Sequence, residues 1–396
     1  MNQHTSTLAR RPIRLPRADG SLEPYQPAAP RAFPARLEGT LNRVAFSAAH
    51  VVADPRADTD PWLTAAIDWD RTIAFREHIW DLGLGVAEAM DTAQRGMGLD
   101  WPTSLELIRR SVAAAKPRGA LIASGAGTDH LAPEDAGSLD DVIRAYEEQV
   151  AAVEAAGGRI ILMASRALAR IARSAADYET VYDRILRQTR APVIIHWLGD
   201  AFDPALAGYW GGRDLAAAMT TALAIINAHA GKVDGVKVSL LDKQFEIDMR
   251  RRLDPRVKMY TGDDFNYAEL IAGDQQGFSH ALLGIFDAIA PAASYALSRL
   301  AAGDPASFHD VLGPTVPLAR HIFKAPTRFY KTGVVFMAYL NGHQDHFTLV
   351  GGQESARSTV HLADIFRLAD KAGLLNDPDR ATARMKAMLA VRGIEG

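Results

Sequence analysis

From Arg43 onward, short apolar runs alternate with longer stretches in which apolar residues recur every three to four positions. The runs are RVAFSAAHVV (43–52), LGLGVAEAM (82–90), GALIASGAG (119–127), GRIILMAS (158–165), APVIIHWLG (191–199), DGVKVSLLD (234–242), RVKMYTGDD (256–264) and GFSHALLGIF (277–286). Between most of them the spacing is helical, as in Leu139, Val142, Ile143 and Tyr146, or Tyr178, Val181, Tyr182 and Ile185. Eight strands alternating with helices predict a parallel (β/α)₈ TIM barrel over 43–303, about the usual 250 residues. An open doubly wound sheet is the competing arrangement, but no G-x-G-x-x-G follows the first run.

The flanks read differently. Residues 1–42 hold Pro12, Pro16, Pro24, Pro27, Pro30 and Pro34, which suit neither a helix interior nor a central strand. They predict an N-terminal arm, lying on a domain or a neighbouring subunit, or else a partly disordered tail. Residues 304–396 predict a helical C-terminal extension, with amphipathic stretches in HLADIFRLADKAGLL and DPDRATARMKAMLAVRG.

Composition narrows the function. The chain has 396 residues, 44 Lys+Arg against 47 Asp+Glu and a formal charge of -3, so no strong field points to nucleic acid or an anionic membrane. No apolar run reaches about 18 residues, and the N-terminus has no apolar core of a secretory signal. The absence of cysteine excludes disulfides, thiolate metal sites and a Cys nucleophile, and fits a cytoplasmic enzyme.

In a barrel of this kind the chemistry lies at the C-terminal strand ends. In Gly235-Val236-Lys237-Val238-Ser239-Leu240, alternation puts Val236 and Val238 on one face and Lys237 and Ser239 on the other. Lys237 then points into the barrel, where burial favours a neutral amine: a carbonyl-condensing nucleophile, or else a structural ion-pair partner. His196 ends the fifth run as a candidate acid/base. Arg166 can hold a carboxylate or pair across the rim. Asp263 and Asp264 close the seventh run, and one of the two suits a helix cap. Glu88, His196, Asp263 and His280 are metal-compatible types without a fixed metal spacing. The segment 200–214 is a long insertion that either lines a pocket or decorates the surface.

The order Gly235-Val236-Lys237, then Gly262-Asp263-Asp264 twenty-five residues after the lysine, then Gly277-Phe278-Ser279-His280-Ala281 resembles the dihydrodipicolinate synthase / N-acetylneuraminate lyase family over roughly residues 40–303, and in particular an uncharacterised dihydrodipicolinate synthase-like branch. That resemblance implies a class I aldolase barrel in which Lys237 forms a Schiff base with a 2-oxo acid. His196 stands where the family has its catalytic Tyr, and Gly85-Val86-Ala87-Glu88 replaces its G-[TS]-T-G-E, so the Thr expected there is missing. The resulting expectation is a lyase or aldolase acting on a 2-oxo acid or a hydroxylated keto-sugar acid. Lys237 and His196 are its catalytic residues, and Glu88, Arg166, Asp263 and His280 bind substrate. It needs no cofactor or metal, takes a small-molecule carbonyl substrate and assembles as a homo-oligomer. The alternatives are a divalent-metal-dependent lyase or isomerase on Glu88, His196, Asp263 and His280, and a non-catalytic sugar-binding barrel.

Overall fold

The computed structural model describes residues 12–212 and 214–395. The segment 1–11 of the expected arm and Arg213 of the insertion lie outside the described residues. A two-stranded hairpin, β1 (Ile13–Pro16) with β2 (Leu22–Tyr25), precedes eight strands. These are β3 (Ala45–Ala48), β4 (Gly85–Glu88), β5 (Ile122–Ala126), β6 (Arg159–Leu162), β7 (Val193–Leu198), β8 (Val233–Ser239), β9 (Lys258–Thr261) and β10 (His280–Leu283). They close into an all-parallel barrel in sequence order, with β10 returning to β3. Each strand lies inside the apolar run that predicts it, save that β8 starts one residue earlier, at Val233, and helices fill the intervals, including Leu139–Ala155 and Ala175–Gln188.

Two apolar layers hold the barrel. Alternate side chains fill its inside, where Phe46, Ala48, Ala87, Ala123, Ile161, Ile194, Tyr260 and Leu282 form one buried cluster. The other set, including Val86, Val236, Val238 and Ala281, packs outward on the helices.

Among the described residues the extension adds five α-helices, Pro305–Leu312, Val316–Ile322, Tyr330–Asn341, Thr359–Lys371 and Pro378–Val391. Tyr330–Asn341 is buried along nearly its whole length, between the barrel helix Ile285–Ala301 and the last helix. The described part of the arm lies on this extension. Tyr25 Oη donates to Asp370 Oδ2 at 2.7 Å, Ala28 N to Asp370 Oδ1 at 2.9 Å, and Arg31 N to the Gly373 carbonyl at 3.1 Å. Among the described residues, no helix is long and apolar enough to cross a membrane.

Candidate active site

Lys237 sits near the C-terminal end of β8, in register with His196 on β7 and Tyr260 on β9. Ile194 and Tyr260 belong to the interior cluster, and residues two apart share a face, so Lys237 and His196 both point inward. Lys237 is only 7% exposed. Burial lowers its pKa, while Asp91 and Asp264 pull it back toward the ammonium. Its stem runs over Gly262, where a Cβ would stand 2.8 Å from Lys237 Cε. The turn after β9 therefore admits the lysine only because residue 262 has no side chain.

Asp264 lies two residues beyond that glycine and is buried. Its Oδ1 accepts the Ile285 N–H at 2.8 Å. Burial pushes its carboxyl up to about 7, against the opposing pull of Ile285 N–H and Lys237. A carboxyl with that pKa exchanges protons readily at neutral pH, and its charge acts on Lys237. His196 is fully buried. Its Nε2 meets Ser239 Oγ at 3.3 Å, and Nδ1 has no hydrogen-bond partner. Burial first, then the charge of Lys237, holds its pKa well below 6.5, so the ring is neutral.

A cleft opens on the rim, lined by Asp91, Arg95, Thr128, Asp129, Arg166 and Asp203 among others, and its link to these groups is Asp91, whose charge acts on Lys237. Arg95 clamps Asp129 through Nε at 3.0 Å and Nη2 at 2.7 Å. Burial alone would raise the Asp129 carboxyl, but the Arg95 charge and the hydrogen bond from Gln149 bring it to about 2. Arg166 Nε reaches Asp203 Oδ2 of the insertion at 2.5 Å. Phe202, also from the insertion, meets Phe323 and Tyr330 of the extension, with ring centroids 6.4 and 6.3 Å apart. Tyr330 hangs over the end of β10, its Cε2 lying 3.2 Å from a Cβ built on Gly284, and its hydroxyl bonds Thr92 Oγ1 at 2.7 Å. Insertion and extension thus meet over the mouth of the barrel.

Three residues expected to bind substrate are placed elsewhere. Glu88 follows Ala87, an interior residue, and so faces the helices. There Arg76 binds both its oxygens at 2.9 Å, with neither side chain exposed. His280 begins β10 rather than ending it, so it stands at the opposite mouth. Its Nδ1 accepts Val44 N–H at 2.9 Å, and its ring lies against Tyr260. Asp263 is buried and spends its oxygens on its own turn. They accept Phe265 N–H at 2.8 Å, Asn266 N–H at 3.1 Å and Asn266 Nδ2 at 2.7 Å. Neither acid caps the next helix, Tyr267–Ala272, whose N-cap is Asn266, while Asp264 bonds Ile285 at the start of the helix Ile285–Ala301. Glu88, His196, Asp263 and His280 share no common centre. Among the described residues no group of three or more His, Cys, Asp or Glu is arranged to hold a metal ion.

Sequence reasoning missed Asp264 as the carboxyl facing Lys237, and missed Tyr330 and Lys331 altogether. The available signal for the last two was a lysine and a tyrosine opening the apolar stretch Tyr330–Leu340.

The family described as "Protein of unknown function (DUF993)" matches residues 13–394. No curated protein matches significantly. Solved structures do. Dihydrodipicolinate synthase from Aquifex aeolicus is 12% identical with a TM-score of 0.60, covering 84% of this chain and 99% of that one. The enzyme from Cyanidioschyzon merolae, solved with lysine bound, is 14% identical with a TM-score of 0.61, covering 84% and 98%. That from Oceanobacillus iheyensis is 15% identical with a TM-score of 0.55, covering 89% and 97%. The barrel has the fold of these synthases, as the strand order and motif spacing predict.

Proposed function

Because the chain belongs to the DUF993 family and carries the barrel of the dihydrodipicolinate synthases, we propose that it is a Schiff-base-forming lyase or aldolase. Its substrate would be a 2-oxo acid or a hydroxylated keto-sugar acid, and it would make or break a C–C bond or eliminate water. The observation that carries this reading is the inward, buried Lys237, on which the charges of Asp91 and Asp264 act, with its stem fitted over Gly262.

In this reading the neutral Lys237 amine attacks the carbonyl carbon, and the carbonyl oxygen takes up a proton to give a carbinolamine. Asp264, protonated below about pH 7, supplies the proton with which the hydroxyl leaves as water. The nitrogen lone pair then forms the C=N bond, releasing one water per imine. The imine accepts the electron pair of the breaking C–C bond, or of a C–H bond whose loss precedes departure of a β-hydroxyl. Hydrolysis returns the free lysine. His196, neutral and held by Ser239, shuttles a proton at its Nε2 or Nδ1. Arg166 at the rim takes a substrate carboxylate in exchange for Asp203. The polar lining of the cleft suits a hydroxylated substrate.

The enzyme would work in the cytoplasm, in keeping with the lack of cysteine. It would assemble as a homo-oligomer, a solution mass above the 42.9 kDa chain, with the exposed neighbours Trp62 and Leu63 offering an apolar contact. Reduction of the enzyme with borohydride in the presence of a 2-oxo acid tests the imine.

A further inference from the structure

Lys331 belongs to the C-terminal extension, at the second position of the helix Tyr330–Asn341, and is only 4% exposed. Among the described residues it forms no ion pair. Its Nζ donates to the Arg328 carbonyl at 2.9 Å and to Met97 Sδ at 3.3 Å, and lies 4.7 Å from the Tyr330 ring centroid. A buried ammonium with a carbonyl, a sulfur and a ring for company is poorly compensated, since charges taken out of water call for a counter-charge.

Its position explains what the counter-charge is for. Met97 follows Gly96, which lines the cleft, and Arg166 Nη1 lies 3.4 Å from a Cβ built on Gly96. On the other side, Tyr330 is bonded to Thr92, next to Asp91 of the same cleft. The two arginines of the cleft each already hold a carboxylate, Arg95 that of Asp129 and Arg166 that of Asp203, so an anion reaches Arg166 only by displacing Asp203. Among the described residues Lys331 is a buried cation near this rim that has no salt bridge. Burial brings its pKa to about 8. Asp91 of the turn after β4 and Asp203 of the insertion act in the opposite sense, and Arg166 and Arg328 reinforce burial.

We propose that Lys331 binds an oxyanionic group of the substrate, a carboxylate or a phosphate, so that the C-terminal extension supplies the specificity of the cleft. The assignment of that anion to the substrate rests on the Schiff-base reading, while anion binding itself does not.

The test is calorimetric titration of the full chain with malonate and with inorganic phosphate. Neither has a ketone, so neither forms an imine, and failure of the Schiff-base reading leaves this result untouched. The wild type should bind one of the ions. Lys331→Met should bind it about tenfold more weakly or worse, and Lys331→Arg should restore most of the affinity. Malonate binding alone assigns a carboxylate and phosphate binding alone a phosphorylated substrate. Where malonate binds, its affinity for the wild type should fall from pH 7 to pH 9 as the amine loses its proton. Binding of neither ion overturns the proposal. So does undiminished binding by a Lys331→Met protein that melts at the wild-type temperature. If that variant does not fold, failure of Lys331→Arg to bind, or a malonate affinity that is level between pH 7 and pH 9, overturns it.

Discussion

Lys237 and Gly262 are fitted to each other between the adjacent strands β8 and β9: the lysine Cε occupies the space beside the Cα of residue 262, 2.8 Å from where a Cβ would stand. The Val238 carbonyl and Ser239 Oγ crowd the same point, so no backbone shift clears it cheaply. Gly262→Ala should therefore displace the lysine stem. The expected result is a stability loss of about 1–3 kcal/mol by urea denaturation, with imine trapping reduced about tenfold or more. Full trapping by this variant would show that the lysine does not need the seat.

Asp264 has its carboxyl raised to about 7, so it is a proton donor below that pH and a bare acceptor above it. The rate of imine trapping should fall as pH rises through about 7. Asp264→Asn should abolish that limb and lower the maximum rate by about 10²–10⁴-fold. An unchanged alkaline limb in the variant would assign it to another group.

His196 is neutral throughout the physiological range, because burial and Lys237 hold its pKa far down. His196→Phe should cut turnover by about 10²–10⁴-fold without removing any limb of the pH profile between 6 and 8. A change of less than about threefold would make the imidazole a packing residue.

How much of this could be read in the chain depends on the kind of information each residue needed. The phase of Lys237 was legible because Val236 and Val238 flank it, and a polar residue between two apolar ones on a strand has one side to go to. Glu88 was not, because Gly85-Val86-Ala87-Glu88 offers small or apolar residues to both faces, and only the arginine at position 76 shows which face the carboxylate needs. His280 was misplaced because the run 277–286 is longer than the strand it contains. Only 280–283 form the barrel strand, which puts the histidine at the strand's start. For Asp263 and Asp264 the spacing was right and the turn decided between them. Tyr330 and Lys331 reach the mouth by a packing of the extension on the barrel that no local pattern encodes.

The pair Arg76–Glu88 is a buried, two-point ion pair that ties the first barrel helix, Trp69–Asp81, to β4. Glu88→Ala strands the guanidinium in the core and should cost about 3–5 kcal/mol by urea denaturation, with imine trapping by the folded fraction unchanged. A variant as stable as the wild type but unable to trap substrate would return Glu88 to the active site.

The central claim is that Lys237 forms the imine, and mass mapping after reduction reads it directly. The enzyme is incubated with a panel of 2-oxo acids and keto-sugar acids, reduced with borohydride and digested. The account predicts one adduct, on the peptide containing Lys237, absent when Lys237→Ala is treated in the same way. Full turnover by Lys237→Ala, or turnover by the wild type with no trappable adduct, would contradict it.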